Sequence, residues 1–318
     1  MYKIFNAVIN SKLPLPELPR ITQKEPLATA IFFKLHDQPL TLPGKFHSFD
    51  HLYSDEAKTR LVVATSRYDG CYLVQFPDMA DFMLDFRRNT VHCHPSAGTP
   101  VETIRHLLLD QVLPRYMGHQ GNLILHASAV VLPGGTGIIF LGKSGWGKST
   151  IASSFHQDGA RLVTDDTLLL EEKDGHLVGI PAYAGSRLWQ DSADSIFPDY
   201  TDLAAVSHYS DKKRLILHGE ADALTEIEVN AIFLLSDPEQ AESPEGITIK
   251  PVHGADAIMA MIRRGFLLDA EDMGVVGRQF SSASRVASTN PAVFSLSYPH
   301  EYDKLAELRE AILDVVNF

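Results

Sequence analysis

Short apolar runs separated by turn residues fill residues 1–100, and this pattern predicts a mostly-β region. The runs predict strands at 4–9, 28–36, 60–66, 71–76 and 90–95. Three closely spaced prolines in LPLPELP (13–19) lack the N–H group that a ladder needs. We therefore expect an extended surface strap between the first two strands.

The hydrophobic period changes at Val101. Val101, Ile104, Leu108 and Val112 recur at steps of three and four, which predicts a helix with one buried face. Pro114 and Gly118 are expected to end or kink this helix. We place a domain boundary near residue 120, with a mostly-β accessory or substrate-recognition domain at 1–120 and a second domain at 121–318.

The second domain predicts a mixed sheet with flanking helices. Strands at 122–132 and 137–142 are joined by the Gly-rich turn PGGTG, and the second strand runs into another Gly-rich loop. A strand–turn–strand unit at 160–172, strands at 231–236 and 246–252, and helices at 148–157, 255–266 and 302–316 complete the pattern. The fold class is α/β of the α+β type, since a hairpin rather than a lone parallel strand leads into the loop.

Charge and cysteine usage exclude several classes of protein. The chain has 28 Lys+Arg against 40 Asp+Glu, a net charge of -12, and no basic run that would suit nucleic acid or an anionic membrane. Its two cysteines, Cys71 and Cys93, do not make a disulfide scaffold. Without a signal-peptide core or a long apolar span, the sequence predicts a cytoplasmic protein.

The stretch GKSGWGKST fits the phosphate-loop pattern G-x-x-x-x-G-K-[ST] between an apolar strand and a helix. Glycines let backbone N–H groups surround a phosphate, and the helix N-terminus favours negative charge. Lys148 is expected to contact the β- and γ-phosphates of ATP, and Ser149 to ligate Mg²⁺. We expect the loop to be exposed and Lys148 to lie outside the core. The predicted nucleotide-binding residues are Gly142, Lys143, Ser144, Gly145, Trp146, Gly147, Lys148, Ser149 and Thr150.

Two adjacent carboxylates, Asp165 and Asp166, follow the apolar RLV. One could act beside the metal and the other take a proton from an attacking hydroxyl, provided that the chain turns there. Without a phosphate loop nearby, an exposed Asp-Asp turn would be the simpler interpretation.

The segment GKSGWGKSTIASSFHQDGARLVTDD resembles the kinase domain of bacterial HPr serine kinases, whose domain fold resembles phosphoenolpyruvate carboxykinase. The resemblance implies ATP and Mg²⁺ as cofactors and Asp166 as the base for the acceptor serine, which leaves Asp165 as the metal-side acid. It also matches His126 to a histidine one strand before the loop, which we expect to support the base.

The wider chain resembles HPr-kinase-like proteins associated with lasso-peptide biosynthesis. SKLPLPELP, LHASAVVLPGGTGIIFLGKSGWGKST, GSRLWQDS and the KKR at 212–214 carry this resemblance. It implies a serine of a ribosomally made precursor peptide as acceptor. The chain lacks the Glu-x-Arg-Gly signature of true HPr kinases, so we predict that HPr is not its substrate.

Several other polar residues are weaker candidates for the site. Asp191 falls by spacing where a metal-binding Glu would lie, and a polar loop residue is the alternative. The run Lys212, Lys213 and Arg214 fits phosphate contacts or a solvated charge run equally well. For Arg263 and Arg264 we prefer a helix-dipole role. His92, Cys93 and His94 suggest a metal, but structural roles are favoured since no second ligand cluster is visible.

The sequence thus predicts an ATP- and Mg²⁺-dependent serine kinase acting on a peptide or protein. Two alternatives stay open: a non-catalytic ATP-binding sensor or scaffold, and a small-molecule kinase. Neither nucleic acid nor membrane is an expected partner, and the sequence leaves open whether the chain forms a homo-oligomer.

Overall fold

The computed structural model describes residues 1–21, 30–41, 47–49, 64–68, 70–183, 186–188, 204–207, 210–215, 225–237, 246–289 and 291–316. The chain divides into two compact units. The first comprises residues 1–116 with 206–210, and the second 117–205 with 211–318.

The first unit is built on one mixed β-sheet. In chain order its described strands β1 to β8 are Tyr2–Ile4, Ala7–Ser11, Ala30–Leu35, His47–Phe49, Ala64–Tyr68, Cys71–Phe76, Ala80–Asp85 and Thr90–Pro95. They pair in the order β1-β2-β3-β8-β7-β6-β5-β4. The pairs β2–β3 and β3–β8 are parallel, and the other neighbours are antiparallel.

The start of the chain differs from the single strand predicted at 4–9. β1 and β2 form a hairpin whose turn includes Phe5, a residue with φ of 50°. Phe5 is only 1% exposed, so the apolar pattern continues through the turn. The sequence therefore gives no sign of the turn. In the proline strap that follows, Leu15 and Leu18 are buried and Glu17 accepts a hydrogen bond from Arg105 (3.0 Å).

The helical segment predicted from Val101 continues past Pro114. It consists of α1 (Val101–Leu107), a π-helical turn (Leu108–Val112) and α2 (Leu113–His119). Proline lacks an N–H group and its ring crowds the carbonyl four residues earlier. Because the wider π turn comes directly before it, the helical path continues past Pro114, with an irregularity there rather than an end. The helix ends at His119, next to Gly118, which is one of the two residues expected to end or kink it.

In the described ranges after His119, the chain forms strands β9 to β19 and four longer helices. The strands are Leu123–Val131, Gly137–Leu141, Arg161–Thr164, Thr167–Lys173, His176–Pro181, Ser186–Leu188, Ala204–Ser207, Ser210–Leu215, Ile227–Leu235, Thr248–Pro251 and Ala292–Ser297. The helices α3 to α6 are Lys148–Gln157, Gly254–Arg263, Met273–Ser288 and Leu305–Val316, the last preceded by a 3₁₀ turn at Tyr302–Lys304. Across the described ranges, no helix is both long and apolar enough to cross a membrane.

The main sheet of the second unit is mixed, as the sequence predicts. Its order is β10-β9-β12-β13-β17-β19-β18, with β11 also pairing β9. β10 pairs antiparallel with β9 and parallel with β17, so the pairings from β10 through β9, β12, β13 and β17 return to β10. The strand that leads into the phosphate loop is therefore hydrogen-bonded along both edges.

Helices cover the two faces of this sheet. One apolar cluster joins the sheet to Met261 of α4 and Val286 of α5, and the other joins it to Phe155 of α3 and Ile312 of α6. Along β9, Leu125, Ala127 and Ala129 belong to the first cluster and Val130 to the second. Because strand residues alternate, the even-numbered positions of β9 share the face that α3 covers.

Candidate functional site

The phosphate-loop sequence connects β10 to α3. Gly145 and Gly147 have φ of 82° and 86°, a conformation that other residues adopt at a cost. A Cβ on Gly147 would lie 2.1 Å from the hydroxyl of Tyr298, so there is no room for a side chain. No side chain caps the N-terminus of α3, and its first backbone N–H groups have no partner within the helix. Such an end is suited to binding an anion.

Lys148 is 4% exposed, contrary to the expectation that it lies outside the core. Its Nζ donates hydrogen bonds to the carbonyl oxygens of Gly142 (3.0 Å) and Lys143 (2.9 Å). The ammonium group is thus held within the loop by the loop's own carbonyls.

Asp165 and Asp166 lie in a bend between β11 and β12, which gives the two carboxylates different surroundings. Asp165 is 3% exposed and accepts a hydrogen bond of 2.6 Å from the hydroxyl of Ser128. Ser128 lies two residues after His126 on β9, so both side chains point to the α3 face. Asp165 is therefore the buried member of the pair.

Asp166 keeps 19% of its side chain exposed and has two polar neighbours. The Nε2 of His126 lies 3.6 Å from its Oδ1, and the hydroxyl of Tyr183 donates to its Oδ2 at 3.5 Å. Its main-chain oxygen accepts from the N–H of Ala127 at 3.1 Å. The structure thus brings His126 of β9 close to Asp166, which lies in the bend directly before β12.

Strand register relates these carboxylates to the phosphate loop. Leu141 pairs with Ala127 in the β9–β10 ladder. Gly142, the first loop residue, and His126 therefore occupy adjoining positions at the same end of the two strands. The loop, His126 and Asp166 therefore lie at the same end of the sheet, and all of them belong to the second unit.

A cleft of about 500 Å³ adjoins the phosphate loop. The Arg264 guanidinium carbon lies 4.8 Å from the centroid of the Trp146 ring, and Lys143 Nζ lies 5.5 Å from it. Arg264 directly follows α4, and its side chain reaches the cleft. Arg264 is the C-cap residue of α4, a position that fits the helix-dipole role preferred from the sequence, and its side chain also lines the cleft. The cleft is lined by Lys143, Trp146, Leu235, Ser236, Asp237, Arg264 and Ser297.

The predicted metal ligands are only partly described. Ser149 follows Lys148 in α3 and Asp165 lies beside Ser128, whereas Asp191 falls outside the described residues, as does Trp189. Lys212, Lys213 and Arg214 lie on β16, where Arg214 pairs with Arg187 of β14, but their side chains are not described. In the part of the chain that the structure covers, no group of three or more His, Cys, Asp or Glu residues could hold a metal ion.

The histidines of β8 contact other protein groups. The rings of His36 and His92 approach to 2.9 Å between Nε2 and Nδ1, and His94 Nδ1 lies 2.8 Å from the carbonyl oxygen of Gln38. Cys93 is buried. These contacts agree with the structural roles that the sequence favours for His92, Cys93 and His94.

Sequence reasoning missed Ser128, Tyr183 and Arg264. The alternation of HASAV contained a usable signal for Ser128, because it places His126 and Ser128 on one face. Tyr183 and Arg264 gave no local signal, since both reach the site through long-range strand and helix packing.

No family model matches the chain. Two curated proteins from Clostridium botulinum, the HPr kinase/phosphorylases of strains Eklund 17B (type B) and Alaska E43 (type E3), are each 28% identical to it over 145 residues. The match covers 44% of this chain, which spans about 45% of the length of these relatives. The Hpr(Ser) kinase/phosphatase structure from Coxiella burnetii overlays 60% of this chain and 97% of its own at 15% identity, with a TM-score of 0.32. An overlay at that score does not by itself establish a common fold.

Proposed function

We propose that this chain is an ATP- and Mg²⁺-dependent kinase that phosphorylates a serine of a peptide or protein. We further propose a ribosomally synthesised lasso-peptide precursor as the acceptor. The observation that supports the proposal is the pairing of Leu141, next to the phosphate loop, with Ala127, next to His126, together with the distance of 3.6 Å between His126 and Asp166. The similarity to HPr kinase/phosphorylases over 145 residues supports the same class of reaction.

The loop residues fit a nucleoside triphosphate. Gly145 and Gly147 adopt the left-handed conformation that turns backbone N–H groups inward, and the uncapped end of α3 offers further donors. Lys148 is already held at the loop, where phosphate oxygens would replace its carbonyl partners. A nucleotide therefore requires little rearrangement of this lysine.

Ser149 and Asp165 fit the modest demands of Mg²⁺. This ion keeps several waters and takes one or two protein oxygens together with those of the phosphates. The bond from Ser128 orients Asp165 as an acceptor. When bound, Mg²⁺ would neutralise charge on the β- and γ-phosphates.

We assign the role of the base to Asp166. In the transfer, the serine oxygen forms a bond to the γ-phosphorus, the bond from that phosphorus to the bridging oxygen of ADP breaks, and the serine proton passes to the Asp166 carboxylate. His126 and Tyr183 fix the orientation of that carboxylate. We assign selection of the acceptor to the first unit, in which no catalytic motif is apparent.

The test is incubation of the purified chain with labelled ATP, Mg²⁺ and a lasso precursor peptide, followed by mass spectrometry. We expect phosphate on a serine of the peptide, and no transfer when that serine is replaced by alanine. Lys148→Ala should lower transfer at least about a hundredfold, because it removes a charge that stabilises the transferring group. Phosphate on a small molecule alone would favour the small-molecule kinase, and ATP binding without transfer to any acceptor would favour the sensor.

A further inference from the structure

Arg264 is anchored to the same strand as His126. Its main-chain oxygen accepts a hydrogen bond from the N–H of His126 at 3.1 Å, and its N–H donates to Met261 at 3.0 Å. The residues that follow add a short bridge between Gly265 and Leu125. The backbone of Arg264 is thus held next to the proposed acid–base pair.

Its side chain crosses to the phosphate loop. The guanidinium stacks on Trp146, and Lys143 approaches the same ring. These two cations line the cleft together with one carboxylate, Asp237, so the lining carries a net positive charge in a chain whose net charge is -12. A local concentration of positive charge beside a predicted phosphate site suggests an anionic ligand.

The chemistry of the guanidinium narrows the choice of ligand. Stacking uses the flat face of the group, whereas its N–H donors lie in the plane and project from the edge. That planar fork matches two oxygens of a phosphate. The loop backbone and Lys148 account for the β-phosphate and part of the γ-phosphate, which leaves further oxygens of the terminal phosphate as acceptors for a second cation.

We propose that Arg264 binds the γ-phosphate of ATP, and that its guanidinium lies over the Trp146 ring when the nucleotide is absent. This inference rests on the proposed function and adds a residue that distinguishes ATP from ADP. During transfer the same guanidinium stabilises negative charge on the phosphoryl group.

The experiment compares Arg264→Ala, Arg264→Lys and Arg263→Ala with the parent chain. Arg263 is the exposed last residue of α4 and provides a matched control for loss of one arginine. Calorimetry gives the affinities for ADP and for a non-hydrolysable ATP analogue in the presence of Mg²⁺. Because the chain has two tryptophans, a Trp189→Phe background makes Trp146 the sole indole and reports whether the guanidinium leaves its ring.

We expect Arg264→Ala to weaken analogue binding about tenfold to a hundredfold more than ADP binding, the scale of a lost charge-assisted hydrogen bond. The parent should show a larger change in Trp146 emission with the analogue than with ADP, and Arg264→Ala should lose that difference. Arg263→Ala should match the parent. Arg264→Lys retains the charge but loses the planar pair of N–H donors. Its preference for the analogue over ADP should therefore lie between those of the parent and Arg264→Ala.

Equal effects of Arg264→Ala on both nucleotides, or no effect beyond that of Arg263→Ala, would overturn the assignment. If Arg264→Ala does not fold, Arg264→Lys decides: a fall of about threefold or more in preference for the analogue supports the site, and unchanged preference refutes it. A parent chain that shows this Arg264-dependent preference but phosphorylates no serine would refute the proposed function alone. Serine phosphorylation that survives Arg264→Ala unchanged would refute the Arg264 assignment alone.

Discussion

At the scale of single residues, the site depends on two neighbouring carboxylates that differ in environment. Asp165 is buried and bonded to Ser128, whereas Asp166 is partly exposed and faces His126 and Tyr183. A buried carboxylate with a fixed partner suits a metal, and an exposed one next to a histidine suits proton transfer. The surroundings therefore support different roles for two chemically identical groups.

Substitution by asparagine separates these roles. Asp166→Asn keeps size and most hydrogen bonding but removes the proton acceptor, so transfer should fall about a hundredfold to ten-thousandfold while ATP still binds. Asp165→Asn should instead raise the Mg²⁺ concentration needed for half-maximal activity. ATP affinity, a metal titration and serine phosphate are measured for both variants. Equal losses with unchanged metal dependence would contradict this division of roles.

His119, at the end of α2, makes stability depend on pH. Burial and then the charge of Arg278 lower the pKa of His119 to about 4, from about 6.5 in an unfolded chain. Below pH 6.5 the unfolded state binds this proton better, so stability present above about pH 6.5 is lost as pH falls toward 4. We expect His119→Gln to show a shallower fall in melting temperature between pH 7 and 4.5 than the parent. His176→Gln changes an exposed histidine, and its melting temperature should fall as steeply as that of the parent. A melting temperature of His119→Gln that also falls as steeply as the parent's would contradict the prediction.

At the scale of elements, two glycines of the phosphate loop allow the cost of a strained backbone to be separated from the cost of a steric collision. Both Gly145 and Gly147 have positive φ, but only a Cβ on Gly147 would meet the Tyr298 hydroxyl. Gly145→Ala should therefore cost only the conformational strain, about 1–2 kcal/mol, while Gly147→Ala adds a steric collision.

Nucleotide affinity and melting temperature measure the difference between these loop variants. Adding Tyr298→Phe should recover part of the loss in Gly147→Ala, because it removes the colliding oxygen. No recovery would show that strain, rather than the hydroxyl, causes the loss.

Elements with strong local patterns could be predicted from the sequence, and others could not. The strands at 71–76 and 90–95 and the helix at 148–157 agree with the structure to the residue, because Gly, Asn, Pro or Asp residues mark their ends in the sequence. Strands β4, β7, β13 to β16 and β19 and helix α5 were missed. In β7, Asp81 and Asp85 lie on either side of FML, so the sequence lacks the apolar run that would predict a strand. Asp85 is buried because Arg88 donates a hydrogen bond to it, a contact that the apolar pattern does not reveal.

The candidate site shows the same limit. The loop and the Asp-Asp bend are local in sequence and could be predicted. Arg264 could not, because its position depends on the hydrogen bond between its main chain and His126, far away in sequence.

At the scale of the whole molecule, the limited extent of the match to HPr kinase/phosphorylases leads to a prediction about substrate. The match covers 44% of this chain, and the Glu-x-Arg-Gly segment is absent from the sequence. We therefore expect no phosphorylation of purified HPr under conditions that label the peptide acceptor. A time course with both acceptors in one reaction checks this, and efficient labelling of HPr would refute it.

The closed series of strand pairings has a consequence for synthesis of the chain on the ribosome. Phe140 of β10 pairs with Phe233 of β17, so the strand before the phosphate loop keeps an open edge until β17 has emerged. Long-range parallel pairing is slow because the intervening chain must first be ordered. β10 therefore gains its second partner strand late during translation, and until then its unpaired edge is a point at which nascent chains can associate with one another.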